Sequence, residues 1–316
     1  MQYDLITMGR VGVDLYPEQI GVPLADVRTF AKSLGGSPTN VAVAAARLGA
    51  RAAVITKVGD DPFGPYIRSA LRGFGVDDAF VGTHPTLRTP VVFCEIFPPD
   101  DFPLLFYREP SAPDLQLETG DLDAGAVRDA GIFWVTGTGL SVEPSRSTTL
   151  EALTWREGER IVDLDWRPMF WGFRPLESGG LKGSDPSSLM RAAVERATVA
   201  VGNREEAGVA VGEGEPLELA RRLLELGPRL AIVKLGPRGV LAATADEHWV
   251  VPPREVEVVN GLGAGDAFGG ALCHGLLSGW DVERIVRYAN AAGAVVASRL
   301  GCADDMPTAA DVEALL

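Results

Sequence analysis

The sequence predicts a doubly wound α/β fold, a mostly parallel sheet flanked by helices, with a small β-lid standing off it. Short apolar runs of strand length alternate with helix-like segments along nearly the whole chain, and such alternation builds βαβ units. The runs are apolar throughout rather than at every second residue, as strands covered on both faces must be. Two stretches, about 12–34 and 88–110, interrupt the rhythm, and no low-complexity linker or internal repeat sets them apart. The expected organisation is one domain over residues 1–316 with those two stretches as lid excursions.

Taken in order, Tyr3 to Gly9 reads as the first buried strand. Val41 to Leu48 is an Ala/Val-rich helix stopped by Gly49, a residue that ends helices at little steric cost. Ala52 to Thr56 is the next strand, and residues 62–72 the next helix, closed by Gly73. Strand 131–135, helix 145–155, strand 160–165, helix 186–197, strand 198–201, helices 203–210 and 216–226 and strand 230–234 follow. In the second lid stretch, Val91 to Phe97 and Leu104 to Arg108 form a hairpin candidate around Pro98-Pro-Asp-Asp-Phe-Pro103, whose prolines loosen the turn.

The 316 residues include 43 acidic and 29 basic side chains, a formal charge of −14, and 46% are hydrophobic. That apolar fraction supplies a sizeable core and excludes intrinsic disorder. The acidic balance argues against nucleic acid and anionic membranes as partners, because phosphates are repelled over much of the surface. No apolar run reaches the ~20 residues of a membrane span, and the first strand lacks the basic start of a signal segment. Cys94, Cys273 and Cys302 lie far apart, and His84, His248 and His274 show no ligand spacing, so no structural zinc site is expected. A reducing, cytoplasmic setting suits these cysteines.

The strongest chemical signal is Asn260-Gly-Leu-Gly-Ala-Gly-Asp-Ala-Phe268, which opens a helix-like stretch to Leu277. Gly263, Ala264 and Gly265 at a helix start leave successive backbone N–H groups uncovered. With the helix dipole they form an anion hole suited to a phosphoryl group. Asp266 in the first turn sets a carboxylate beside that hole, where it can take a proton from an attacking hydroxyl. Helix capping and close glycine packing would account for the same residues. Gly261-x-Gly263-x-Gly265 also resembles a dinucleotide fingerprint, but Glu283, the acid expected downstream, falls in helical sequence where a second Rossmann strand should be. A second motif, Leu34-Gly-Gly-Ser-Pro-Thr-Asn40, lets a ligand approach Gly35 and Gly36 and offers the Asn40 amide as donor and acceptor. A turn and a helix cap would use it equally well. Gly59-Asp-Asp-Pro-Phe-Gly64 reads as a strand-to-helix junction.

Leu34 to Gly49, Gly59 to Gly64 and Gly263 to Asp266 together resemble the two signatures of the ribokinase-like (PfkB) carbohydrate kinases, and the resemblance runs in order from Tyr3 to about Leu300. It implies the ribokinase-like α/β domain with a β-lid, and transfer of the γ-phosphoryl of ATP to a sugar hydroxyl with Mg²⁺. By this resemblance Asp266 is the catalytic base, Gly263, Ala264 and Gly265 form the anion hole, and Asp14, Gly35, Gly36 and Asn40 contact the sugar. Asn203-Arg-Glu-Glu206 resembles the family's N-x-x-E motif, in which Glu206 organises Mg²⁺ through water. Seen alone, those four residues are an Asn cap and an acidic first turn. Lys234-Leu-Gly236-Pro-Arg-Gly239 resembles the turn that lies against ATP, and Asn290 a position near adenine. Asn203, Lys234, Gly236, Gly239 and Asn290 are thus the implied nucleotide contacts. Asn260-Gly261 stands where the family often has Asp-Thr, a departure that bears on a monovalent-cation site and leaves the anion hole intact.

Within the family, the stretch at Asn260, the opening Asp4 to Pro17 and Phe93 to Pro103 are most similar to the kinases of inositol catabolism that act on 5-dehydro-2-deoxygluconate. Such a sugar acid carries a carboxylate, and arginine forks match one with two parallel hydrogen bonds. Arg108 at the end of the lid hairpin and Arg167 in Asp163-Leu-Asp-Trp-Arg-Pro168 are the expected pair, as in 2-keto-3-deoxygluconate kinases, and Arg10 is a third candidate. A 2-keto-3-deoxygluconate kinase, a fructokinase and a non-catalytic sugar or nucleotide sensor are the other readings. Alternation leaves open whether Tyr107 faces the pocket or the lid core. The lid strands are apolar enough to pair with a second copy, so a homodimer through the lid is expected.

Overall fold

The computed structural model describes residues 2–172, 174–175, 181–182 and 185–316. In chain order come β1 (Leu5–Met8), β2 (Gly12–Pro17), β3 (Phe30–Gly35), α1 (Ser37–Arg47), β4 (Ala52–Gly59), α2 (Phe63–Gly73), β5 (Val76–Asp77), β6 (Val81–His84), β7 (Val91–Cys94) and β8 (Leu104–Tyr107). Next are α3 (Ala124–Asp129), β9 (Ile132–Thr136), α4 (Ser145–Ala152), β10 (Glu159–Asp163) and the two-residue pair β11 (Arg174–Pro175) and β12 (Leu181–Lys182). The last part holds α5 (Pro186–Val194), β13 (Val199–Asn203), α6 (Arg204–Val211), α7 (Pro216–Glu225), β14 (Leu230–Lys234), β15 (Val240–Ala243), β16 (His248–Val251), α8 (Ala264–Leu277), α9 (Val282–Ala297) and α10 (Ala309–Glu313).

The main sheet runs β16-β15-β14-β13-β10-β9-β1-β4-β5, with β6 also on β4. Its central pairs are parallel, and β15 and β16 close one edge antiparallel. Side chains of successive strand residues point to opposite faces, so Phe133 and Trp134 of β9 enter different cores. One core gathers α1, α2, α8 and α9, the other α3 to α7. Covered on both faces, the strands must be apolar throughout, which is the pattern the sequence shows. The strand expected over 160–165 stops at Asp163, because Asp165 takes φ 29°, outside the extended region. None of the described helices is long and apolar enough to cross a membrane.

Gly270 of α8 lies against α1. A Cβ there would overlap that of Ala44 and stand 2.7 Å from the Ala45 nitrogen. The two helices therefore meet at backbone distance, which sets the N-terminus of α1 opposite that of α8. Gly270→Ala is expected to destabilise the protein by about 1–3 kcal/mol through overpacking. A lower urea midpoint at unchanged slope would show it.

A second sheet, β3-β2-β7-β8, stands apart from the first, and both stretches expected as lid supply its strands. β7 and β8 pair antiparallel as the hairpin reading required, with Val91 opposite Tyr107. Asp14, Tyr16, Val92, Leu104 and Phe106 face the cleft. Phe30, Phe93 and Tyr107 meet edge to face on the other side, where Tyr107 is 60% exposed. Tyr107 thus points outward, and of the two neighbours it is Phe106 that faces the cleft.

Candidate active site

A cavity of about 370 Å³ lies between the lid and the residues that follow β1, β10, β13 and β14. Strand ends of an open parallel sheet are where such crevices form. A second cavity, of about 570 Å³, is lined by Trp280, Arg284 and Glu313 and holds none of the motif residues. The chemistry belongs to the smaller one.

Gly263 caps α8 at φ 82°, and a Cβ there would overlap the Cys302 sulfur, so both conformation and space demand glycine. The N–H groups of Asp266 and Ala267 donate to the Gly263 carbonyl at 3.0 and 2.9 Å, and that of Ala264 reaches the Gly261 carbonyl at 3.4 Å. Among the described residues the Gly265 N–H has no backbone acceptor, and Gly265 lines the cleft. The helix start thus presents a free donor at the positive end of its dipole. Gly263 lines the cleft as well, whereas Ala264 packs behind, its carbonyl 2.9 Å from where a Cβ on Gly293 would sit.

The Asp266 carboxylate accepts from Ser37 Oγ at 2.7 Å and Asn40 Nδ2 at 2.8 Å. Burial raises its pKa, and the Asn40 and Ser37 bonds and the nearby Arg10 offset part of that rise. Ser37 was not singled out in the sequence, where the helix is expected from Val41; in the structure it opens α1. Asn40 Oδ1 is buried without a partner, which leaves one acceptor for a hydroxyl. As only the ionised carboxylate accepts a proton, kcat/KM should fall with falling pH at a point above the ordinary aspartate range. Ser37→Ala removes a bond to the charged form and should move that acid limb to higher pH. A limb that stays in place would contradict Asp266 as the titrating base.

Asp14, half-buried on β2, leaves no room for a side chain on Gly35. Burial pushes its carboxyl up to about 7, with Arg10 pulling down and Asp266 pushing up. Gly36 faces the cleft and Gly35 lies behind Asp14.

At the strand ends, Asn203 Oδ1 accepts from the Glu206 N–H at 2.9 Å, and Glu206 Oε2 accepts from the Asn203 N–H at 2.6 Å, a reciprocal cap that starts α6. Glu206 is buried, with its other oxygen 3.7 Å from Arg167 Nη1. Lys234 Nζ lies 3.8 Å from Asp163 Oδ1 and 3.4 Å from where a Cβ on Gly265 would stand, beside the free amide. Burial pushes the Asp163 carboxyl up against the pull of Lys234. For Lys234, desolvation works against the charge, but Asp163 and Glu206 outweigh it and keep the ammonium protonated.

Two arginines converge on Asp165, whose side chain is only 4% exposed. Arg10 donates from Nε at 3.3 Å and Nη2 at 3.4 Å, Thr138 Oγ1 at 3.3 Å, and Arg167 Nη2 lies 3.5 Å away. Burial would raise Asp165, but Arg10 and Arg167 hold it below the usual carboxylate range. Its positive φ costs about 1–3 kcal/mol, a strain that persists only where the surroundings impose it.

Arg108 is not in this group. Its Nη2 pairs with Asp114 at 2.6 Å, both side chains nearly closed to solvent, and its guanidinium lies over Phe170. A buried carboxylate needs a cation, and Asp114, six residues on, holds Arg108 away from the cleft. Arg108 and Arg167, the arginines expected to pair, therefore lie apart in the structure, and it is Arg10 that stands beside Arg167 at Asp165. Asn290 is off the cleft lining too: its Nδ2 donates to the Pro252 carbonyl at 2.7 Å and ties α9 to the loop after β16. Gly236 lines the cleft, while Gly239, at φ 89°, turns the chain against Val251. Asn260 is fully buried, donating to the Leu300 carbonyl at 2.7 Å and accepting from the Leu262 N–H at 3.0 Å. It fastens the turn that leads into α8.

Known proteins are similar to this chain along its whole length. The 5-dehydro-2-deoxygluconokinase of Shouchella clausii (strain KSM-K16) is 31% identical over 322 residues, spanning 100% of this chain and 96% of that one. A double-mutant fructokinase from Vibrio cholerae O395, with fructose, ADP and potassium ion bound, superposes with a TM-score of 0.86 at 26% identity, covering 99% of this chain and 98% of the other. Fructokinase from Xylella fastidiosa with bound ATP gives 0.84 at 25% identity, covering 100% and 98%. The family model described as pfkB family carbohydrate kinase matches residues 3–309. With its glycine-led helix start, the neighbouring carboxylate and a full-length match, the chain belongs to the pfkB family of carbohydrate kinases.

Proposed function

We propose that this carbohydrate kinase transfers the γ-phosphoryl of ATP to the terminal hydroxyl of 5-dehydro-2-deoxy-D-gluconate, a step of inositol catabolism. The observation that carries the reaction is the Asp266 carboxylate, held by Ser37 and Asn40 beside the free Gly265 N–H. Asp266 takes the hydroxyl proton while the amide and Lys234 receive charge on the transferring group. The sugar lies toward Asp14, Gly36 and Asn40, with Gly35 supporting Asp14. The nucleotide lies toward Asn203, Lys234 and Gly236, in loops shaped by Gly239 and Asn290.

Glu206, through water, is the side chain that would hold Mg²⁺, which when bound neutralises phosphate charge. Among the described residues no three carboxylate, histidine or cysteine groups form a metal cage. An ion that keeps its water and phosphate ligands needs none. A monovalent cation, potassium in the Vibrio structure, completes the cofactor set of this reading, and Asn260 supplies it no charge.

The substrate rests on the full-length similarity to the Shouchella enzyme and on cationic side chains at the cleft wall. Rates of ADP release with 5-dehydro-2-deoxygluconate, 2-keto-3-deoxygluconate and fructose test it. Preference for 2-keto-3-deoxygluconate would reassign the acid, and preference for fructose would remove the sugar-acid reading. ATP binding without transfer to any of them would favour a sensor.

We read the chain as one domain whose lid closes over the sugar and excludes water. Cys94, Cys273 and Cys302, all buried free thiols, suit a reducing cytoplasm. The outer lid face, with Phe30, Phe93, Leu105 and Tyr107, supports a homodimer. Sedimentation should then give a species near twice 33.5 kDa, and a monomer alone would count against it.

A further inference from the structure

Arg10 leaves the end of β1 and is pinned at its backbone. Its carbonyl accepts from Thr39 Oγ1 at 3.1 Å and fills the space a side chain on Gly36 would need. Its side chain is 12% exposed and lies along the cleft wall. The two contacts to Asp165, at 3.3 and 3.4 Å, are long for charged hydrogen bonds and engage Nε and Nη2. An arginine has five N–H donors, so others remain for a second anion.

Three features separate Arg10 from the other arginines near the lid. It shares the cleft with Asp14 and Asp266 and feels the charge of both, which puts it at the sugar end. Arg167 reaches toward Glu206, the metal and phosphate end. Arg108 is committed to Asp114. Asp165, the one non-glycine residue at positive φ among the described residues, is what holds both Arg10 and Arg167 in place. A strained residue kept to grip two cations indicates that their positions matter.

We propose that Arg10, fixed by Asp165, is the specificity-determining residue that takes the carboxylate of the sugar acid. This rests on the sugar-acid reading given above. Arg10 binds the acid end by two N–H groups, Asp165 is a positioning residue, and Arg108 has no part in selection.

The test compares the kcat/KM ratio for 5-dehydro-2-deoxygluconate over fructose in the wild type, Arg10→Met, Arg10→Lys, Arg108→Met and Asp165→Asn. Arg10→Met should lower the ratio by about 50-fold or more, chiefly through KM for the acid, as loss of a charged, bidentate contact does. Arg10→Lys keeps a charge without the fork and should lie between. Asp165→Asn, a residue type tolerated at positive φ, should also lower the ratio, whereas a merely structural role would reduce both substrates alike. Arg108→Met should keep it. Thermal shift with ATP verifies that each variant is folded, and Arg10→Lys decides the matter should Arg10→Met not fold. A wild type that prefers fructose overturns the sugar-acid reading. A wild type that prefers the acid, with the ratio unchanged in Arg10→Met or Arg10→Lys, overturns the role of Arg10 and leaves that reading standing.

Discussion

Asp266→Asn is expected to lower kcat by about 10²–10⁴-fold, the usual range for losing a positioned general base. Asparagine matches aspartate in shape, so the variant separates charge from packing. Its oxygen can accept the Asn40 bond now made at 2.8 Å, and its amide can donate to Ser37. The fold and the start of α8 should be kept, as should ATP binding by calorimetry. The acid limb of the pH profile should vanish with the group that titrates. A kcat within about tenfold of the wild type would mean that Asp266 only caps α8, and the assigned chemistry would fail.

Lys234→Met should have the next largest effect, about 10²–10³-fold in kcat, comparable to removing a preorganised donor at an anion site. The ammonium sits at the end of β14, beside the Gly265 amide and 3.8 Å from Asp163. A cation there meets charge on a phosphoryl group as it leaves ATP. Methionine keeps the apolar stem and leaves Asp163, already pushed up by burial, free to remain protonated. The loss should appear in kcat more than in KM for ATP, because transition-state charge is at stake. A rise in KM alone would make Lys234 a ground-state contact.

How much of this was legible depended on the range of each contact. The start of α8 could be read directly, since Gly263, Gly265 and Asp266 belong to one turn and their chemistry is local. So could the reciprocal cap of Asn203 and Glu206, four consecutive residues seen first as a helix start. The arginines were another matter. Arg10 and Asp165 are 155 residues apart, and no local pattern joins them. Arg108 was misplaced because a neighbour unremarkable in sequence, Asp114, takes its charge. Tyr107 and Phe106 show the same limit: alternation says they face opposite ways but not which face borders the cleft.

By itself the chain's order of residues determined the α/β architecture, the helix that begins at Gly263 and the carboxylate in its first turn, because periodicity, glycine conformation and helix dipoles act within a few residues. Only the tertiary structure decided which charges share the cleft. That choice follows from burial: each carboxylate taken from water seeks the cation that packing brings within reach, so Asp114 holds Arg108, Asp165 holds Arg10, and Asp163 faces Lys234.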